Sequence, residues 1–144
     1  MTKIVIFDFF RTLYDPDNDA LLEGATQVLE GLKKRGFELF IVSHGAGRKE
    51  ELQSLGIDHF FKDVVVTTEK TEKDFLKVIP EGTDKTNSFV IGDRVRYEMR
   101  IGNKLGFQTM WLKLGKFSTE KPQSNEEKPD FTILSLKEIL KIAP

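Results

Sequence analysis

The chain of 144 residues contains no cysteine. That excludes disulfides, thiol catalysis and thiolate metal sites. It also lacks an excess of either charge: 22 Lys and Arg stand against 23 Asp and Glu, for a net charge of −1. A general nucleic-acid or anionic-membrane binder usually carries a basic surplus, so the balance argues against both. No apolar stretch approaches the ~18 residues that a membrane span needs. The N-terminus runs straight into Lys3-Ile4-Val5-Ile6 without the pattern of a secretory signal, and a cytoplasmic protein is the expectation. There is no internal repeat.

What is present is enough for one core. Hydrophobic residues make up 39% of the chain, and twelve phenylalanines supply much of that. The length suits one domain of ordinary size. Strand-like and helix-like stretches alternate along it. Ile4–Phe7, Leu39–Val42, Val64–Val66, Phe89–Ile91 and Phe107–Leu112 read as buried strands, and Phe131–Ile133 as a short sixth. Helices are expected over Ala20–Lys34, Arg48–Leu55, Glu72–Ile79, Val95–Leu105 and Ser135–Ile142. The last begins with Ser135 and Glu138 at capping-box spacing. Lys116–Lys128 is polar, carries Pro122, and reads as a surface loop.

Continuous apolar strands separated by amphipathic helices imply a parallel sheet covered on both faces. The fold class is α/β, a Rossmann-like doubly wound three-layer sandwich with a central, mostly parallel sheet of five to six strands. Chemistry in such folds sits at the C-terminal strand ends. Those ends carry Asp8, Ser43, Thr67-Thr68 and Gly92-Asp93. Taken singly, a polar residue there simply begins a loop. Asp8 and Asp93 together are different, because two carboxylates held close need a cation or a raised pKa. Glu98, five residues on, either returns to the same cleft or is a solvated acid favoured by its helix N-terminus. Three oxygen ligands and water suit a hard cation such as Mg2+.

The residues Phe7-Asp8-Phe9-Phe10-Arg11-Thr12-Leu13, then Ile41-Val42-Ser43, a lysine near 70, and Ile91-Gly92-Asp93 with Glu98 resemble the four motifs of the haloacid dehalogenase-like (HAD) superfamily, in order. Ile101 to Thr109 is similar to the helix and strand that follow the fourth motif in that family. The resemblance spans residues 3 to 115 and implies roles. Asp8 would be the nucleophile, forming an aspartyl-phosphate. Mg2+ would be held by Asp8, the backbone carbonyl of Phe10, Asp93 and Glu98. Ser43 would bond a phosphoryl oxygen, with His44 and Arg11 beside the substrate. A lysine would neutralise charge. Lys70 and Lys73 compete for that place; Lys70 is preferred because it directly follows the loop of the third strand, whereas Lys73 reads as a solvated helix charge.

The departures from the family pattern matter equally. Family phosphatases carry at the position of Phe10 an aspartate that protonates the leaving group. Losing a general acid typically costs ~10²–10⁴ in rate. Arg11 replaces a residue that is usually glycine, and Glu98 replaces a common aspartate. His44 reads either as a loop histidine or as a substitute proton donor. Between Asp8 and Ser43, and again between Val66 and Phe89, there is room for little more than one helix. The expectation is therefore a single domain over residues 1–144 without an inserted cap. Such an open site favours a large phosphorylated substrate, or a partner that completes the cover. The absence of a cap also disfavours dehalogenase chemistry.

Arg96, Arg100 and Lys104 form an i, i+4, i+8 basic stripe, read as a solvated face or a contact strip for a phosphorylated or nucleic-acid partner. Two functional readings follow: a magnesium-dependent phosphohydrolase, and a catalytically lapsed member serving as a binding or regulatory module. A response-regulator-like receiver is a third, but such domains place the phosphorylated aspartate on a later strand.

Overall fold

The computed structural model describes residues Met1–Pro144. Six strands form one sheet: β1 (Ile4–Phe7), β4 (Glu38–His44), β5 (Phe61–Thr67), β6 (Phe89–Gly92), β7 (Gln108–Leu112) and β8 (Phe131–Ile133). Their order is β5-β4-β1-β6-β7-β8, and every pairing is parallel. From β1 the chain winds outward through β4 to β5. It then returns to the other side of β1 and winds outward again. The strand order thus reverses between β1 and β6, which is where an open α/β sheet leaves a crevice at its C-terminal edge.

The strands are buried on both faces, and alternate residues feed two cores. Val5, Phe7, Leu39, Ile41, Phe89 and Ile91 point to one side. There they meet α1 (Ala25–Lys34) through Ala25, Val28, Leu29 and Leu32, and the C-terminal turns through Leu136 and Ile139. Ile4, Ile6, Phe40, Val42 and Val90 point to the other side, against Phe75 of α3 (Glu72–Leu76) and Ile101 of α4 (Arg100–Leu105). Each fully buried Leu, Ile or Phe contributes roughly 1.5–3 kcal/mol. No helix is long and apolar enough to cross a membrane.

Several expected boundaries move. Ala20-Leu21 is not helical: it forms β3, paired antiparallel with β2 (Tyr14–Asp15) in a small hairpin, and α1 starts only at Ala25 after Gly24. Leu21 and Leu22 still pack on the core, which is why the helical periodicity extends through them. The helix expected over Glu72–Ile79 stops at Leu76. β7 begins at Gln108 rather than Phe107. The expected last helix begins as a 3₁₀ turn, Leu136–Glu138, before α5 (Ile139–Ile142), although its Ser135/Glu138 capping box forms. The expected helix over Val95–Leu105 opens with a π-helical turn, Val95–Met99, in which Met99 N–H bonds the Arg94 carbonyl.

The polar segment Lys116–Lys128 is more than a surface loop. The Glu120 carboxylate receives hydrogen bonds from Arg94 Nε (3.0 Å), Arg96 Nη1 (3.1 Å) and the Val95 amide (3.0 Å). Arg96 is therefore paired, and Lys104 is paired with Glu72 at 2.8 Å. The expected basic stripe is largely neutralised.

Candidate active site

Asp8 follows β1 and Asp93 follows β6, so the two neighbouring strands bring both acids to the crevice. The Asp8 amide bonds the Ile91 carbonyl at 3.1 Å and locks the two strand ends together. Glu98 arrives from the π-helical turn, whose extra residue per turn changes the direction of its side chain relative to an α-helix. Oxygens of Asp8, Asp93 and Glu98 lie within 4.8 Å of one another. All three residues are buried. The strand end makes room for Glu98 through Gly92: a Cβ there would stand 2.4 Å from Glu98 Cγ.

Lys70, in the loop after β5 (Phe61–Thr67), closes the cluster. Its Nζ lies 2.8 Å from Asp8 Oδ1 and 3.1 Å from Glu98 Oε2. Lys73, its rival in the sequence, is exposed on α3. Burial disfavours the Lys70 ammonium, but the charges of Asp8 and Glu98 more than offset this and hold it above the usual lysine value. Burial, with the Asp8 charge beside it, holds the Asp93 carboxyl above the usual carboxylate range. Burial also raises Glu98, against the opposing pull of Lys70. When all three carboxyls are ionised, they leave two negative charges beyond the one that Lys70 offsets. Asp93 Oδ2 is buried and has no hydrogen-bond partner, while Trp111 Nε1 fixes the Asp93 carbonyl at 3.0 Å. An orphaned acceptor among hard oxygen donors, with two charges to neutralise, fits a small divalent cation. The Phe10 carbonyl, the fourth residue expected at a metal, accepts no backbone hydrogen bond.

Ser43 and His44 end β4 (Glu38–His44). The Ser43 hydroxyl is buried and accepts a hydrogen bond from Arg48 Nε at 2.8 Å. His44 is exposed at the edge of the same cleft, and its imidazole makes no hydrogen bond. Arg11 also lines the cleft. It holds a left-handed backbone at φ 59, where glycine is the usual occupant. The cleft measures about 890 Å³.

Four contributors went unnoticed in the sequence. Arg48 opens α2 (Arg48–Ser54) yet is buried, with its guanidinium 4.1 Å from the Phe10 ring centroid. Besides Ser43 it donates to the His44 carbonyl at 2.7 Å, the Ala46 carbonyl at 3.1 Å and Glu51. Gly45 clears its path: a Cβ there would meet Arg48 Nη2 at 2.7 Å, and its φ is +105. A cation in the first turn of a helix opposes the macrodipole, and that anomaly was a readable signal. Arg94, Tyr97 and Phe117 complete the wall. Arg94 stacks 3.7 Å from the Phe117 centroid, a contact between segments distant in sequence that no local pattern announces.

Comparison with known proteins bears on the family and the fold. Residues 67–139, half of the chain, match the HAD-hydrolase-like family. A glyceraldehyde 3-phosphate phosphatase of Methanopyrus kandleri is 33% identical over 119 residues, covering 77% of this chain and 51% of that protein. The chain thus spans about half the length of the curated relatives it matches. Among solved structures, an HAD phosphatase from Thermococcus onnurineus superposes with a TM-score of 0.80 at 15% identity, covering 98% of this chain and 97% of that one. The magnesium-bound YfnB of Bacillus subtilis gives 0.69 at 26%, covering 85% of this chain and 56% of that one. With its parallel sheet and its strand-end acids arranged as described, this chain belongs to the haloacid dehalogenase-like hydrolases.

Proposed function

We propose that this protein is a magnesium-dependent phosphohydrolase that works through an aspartyl-phosphate on Asp8. The observation that carries the reading is the convergence of Asp8, Asp93 and Glu98 around Lys70. The names of the curated relatives, which are phosphatases, support it.

Asp8, Asp93, Glu98 and the Phe10 carbonyl would hold Mg2+. The ion supplies charge neutralisation for the anionic phosphoryl group as charge shifts during transfer. Asp8 Oδ attacks phosphorus as the bond from phosphorus to the leaving oxygen breaks, that oxygen departing with the bonding pair, and the Lys70 ammonium stabilises both nucleophile and phosphoryl oxygens. Ser43 Oγ accepts from Arg48 and donates only a long 3.4 Å bond to the His44 carbonyl, so its proton would turn to a phosphoryl oxygen. Water then cleaves the aspartyl-phosphate and regenerates Asp8. A domain without an inserted cap, acting in the cytoplasm on phosphorylated substrates, completes the reading; an uncapped cleft favours a large substrate or a covering partner.

Phosphate release from a panel of phosphate esters, glyceraldehyde 3-phosphate among them, tests this reading. Release with Mg2+ that disappears in Asp8→Asn supports it. No release above background across the panel contradicts it. The second reading, a binding or regulatory module, is favoured by one observation: Phe10, wedged against Arg48, Phe9 and Tyr14, offers no proton to a leaving group. On that reading Phe10→Asp creates turnover where the wild type has none.

A further inference from the structure

One stretch of the cleft wall beyond its acidic floor is built from side chains that cannot give up a proton. Phe10, Arg11, Arg94 and Phe117 line it, with Arg48 behind Phe10. Guanidinium groups stay charged at any physiological pH, so they stabilise an anion without protonating it. The other candidate donors are poorly placed. His44, Glu69 and Tyr97 are exposed, and none has a side-chain hydrogen bond to orient it. Asp93 and Glu98 lie beside Asp8 on the floor.

Two of these arginines keep donors open to an anion. Arg48 is not one of them, because its donors are spent on Ser43, Glu51 and two carbonyls. Arg94 uses Nε for Glu120 and leaves both terminal nitrogens without a protein hydrogen bond. Arg11 has no ion pair and no side-chain hydrogen bond, and it occupies a strained backbone region at φ 59. Strain kept at the wall of a cleft is a pointer to function. Both guanidinium groups flank the same ring, 5.7 and 3.7 Å from the Phe117 centroid.

In-line displacement by Asp8 drives the leaving oxygen away from the nucleophile, and Arg11 and Arg94 line the cleft that receives it. We infer that the site takes phosphates with a weakly basic leaving group, acyl phosphates and phosphoanhydrides, whose leaving oxygen departs as an anion beside Arg11 and Arg94. The inference rests on the phosphohydrolase reading and narrows its substrate class. In the step, an Asp8 oxygen forms a bond to phosphorus and the bond from phosphorus to the leaving oxygen breaks. That oxygen keeps the bonding pair and leaves unprotonated as a carboxylate or phosphate. A carboxylate is roughly ten pK units less basic than an alkoxide, so it needs no general acid.

The test is covalent labelling of Asp8, followed by rapid quenching and mass spectrometry with Mg2+ present. Acetyl phosphate is compared with glyceraldehyde 3-phosphate, the alkyl ester named for the relatives. Labelling from acetyl phosphate should be faster by ~10² or more, the usual worth of a missing general acid. Arg11→Gly with Arg94→Gln should slow it about tenfold; Arg11→Gly suits the backbone at φ 59, and an undiminished melting temperature of the double variant shows that loss of fold is not the cause. Equal labelling by the two phosphates overturns the inference and leaves the phosphohydrolase reading standing. A labelling rate from acetyl phosphate that is unchanged by both substitutions also overturns it. No labelling from either compound, with Asp8→Asn identical to wild type, removes the nucleophile itself and the inference with it.

Discussion

Glu98 folds over Gly92 so closely that a Cβ on residue 92 would stand 2.7 Å from the Glu98 carboxyl carbon. The glycine is what allows an acid from the π-helical turn to reach two acids at strand ends. Gly92→Ala should therefore push Glu98 out of the cluster while leaving β6 paired. Displacing a group that shapes a metal site typically costs 10–100-fold in affinity. Calorimetric titration of Mg2+ into Gly92→Ala should show about that loss; unchanged affinity would mean Glu98 is dispensable.

Lys70 is the sole cation inside the acidic cluster. Removing one partner of a buried pair costs about 3–5 kcal/mol, because the remaining charges lose their counterion. Lys70→Met should lower the denaturation midpoint of the metal-free protein accordingly. Mg2+ should recover much of the loss, since a dication takes over the neutralisation. A substitution without effect on metal-free stability would contradict the electrostatic account.

Asp93 and Glu98 also set a pH dependence. Burial leads both carboxyls to a raised pKa; the Asp8 charge reinforces the rise at Asp93, and Lys70 opposes it at Glu98. In the unfolded chain they ionise near 4. The folded state therefore holds more protons than the unfolded one above that pH, and stability falls as pH rises through the folded values. Lys70, raised as well, contributes stability present below its unfolded value near 10.5 and is constant in this window. The chelator-treated protein should melt lower at pH 8 than at pH 5, and Mg2+ should raise the melting temperature more at pH 8. A melting temperature that rises with pH without metal would refute this.

Arg11→Gly should stabilise the fold by about 1 kcal/mol, because it relieves a left-handed backbone at φ 59. The gain would come with weaker binding of anionic substrates, a trade expected of strain kept at a functional site. Urea denaturation reads the first effect. A destabilised Arg11→Gly would show that the contact with Phe117 outweighs the backbone.

Much of this architecture was legible because buried parallel strands are continuous apolar runs. Ile4–Phe7 and Phe89–Ile91 announced themselves, and the polar residues just beyond them, Asp8 and Asp93, follow from strand geometry alone. Glu98 was visible as a candidate, but its direction depends on a π-helical turn that has no sequence signature. Lys70 and Lys73 were separable only once the loop after β5 was in place. Ala20–Leu22 misled because apolar residues pack on the core from a hairpin as well as from a helix. Phe117 and Glu120 were hidden, since a polar loop earns its place only through contacts with Arg94 and Arg96 more than twenty residues away.

The central claim is that two acids 85 residues apart share one divalent ion. Calorimetric titration of Mg2+ into the wild type, Asp8→Asn and Asp93→Asn measures it directly. The account predicts one site in the wild type and a loss of affinity of about tenfold or more in each variant. Equal Mg2+ affinity in all three proteins would contradict it.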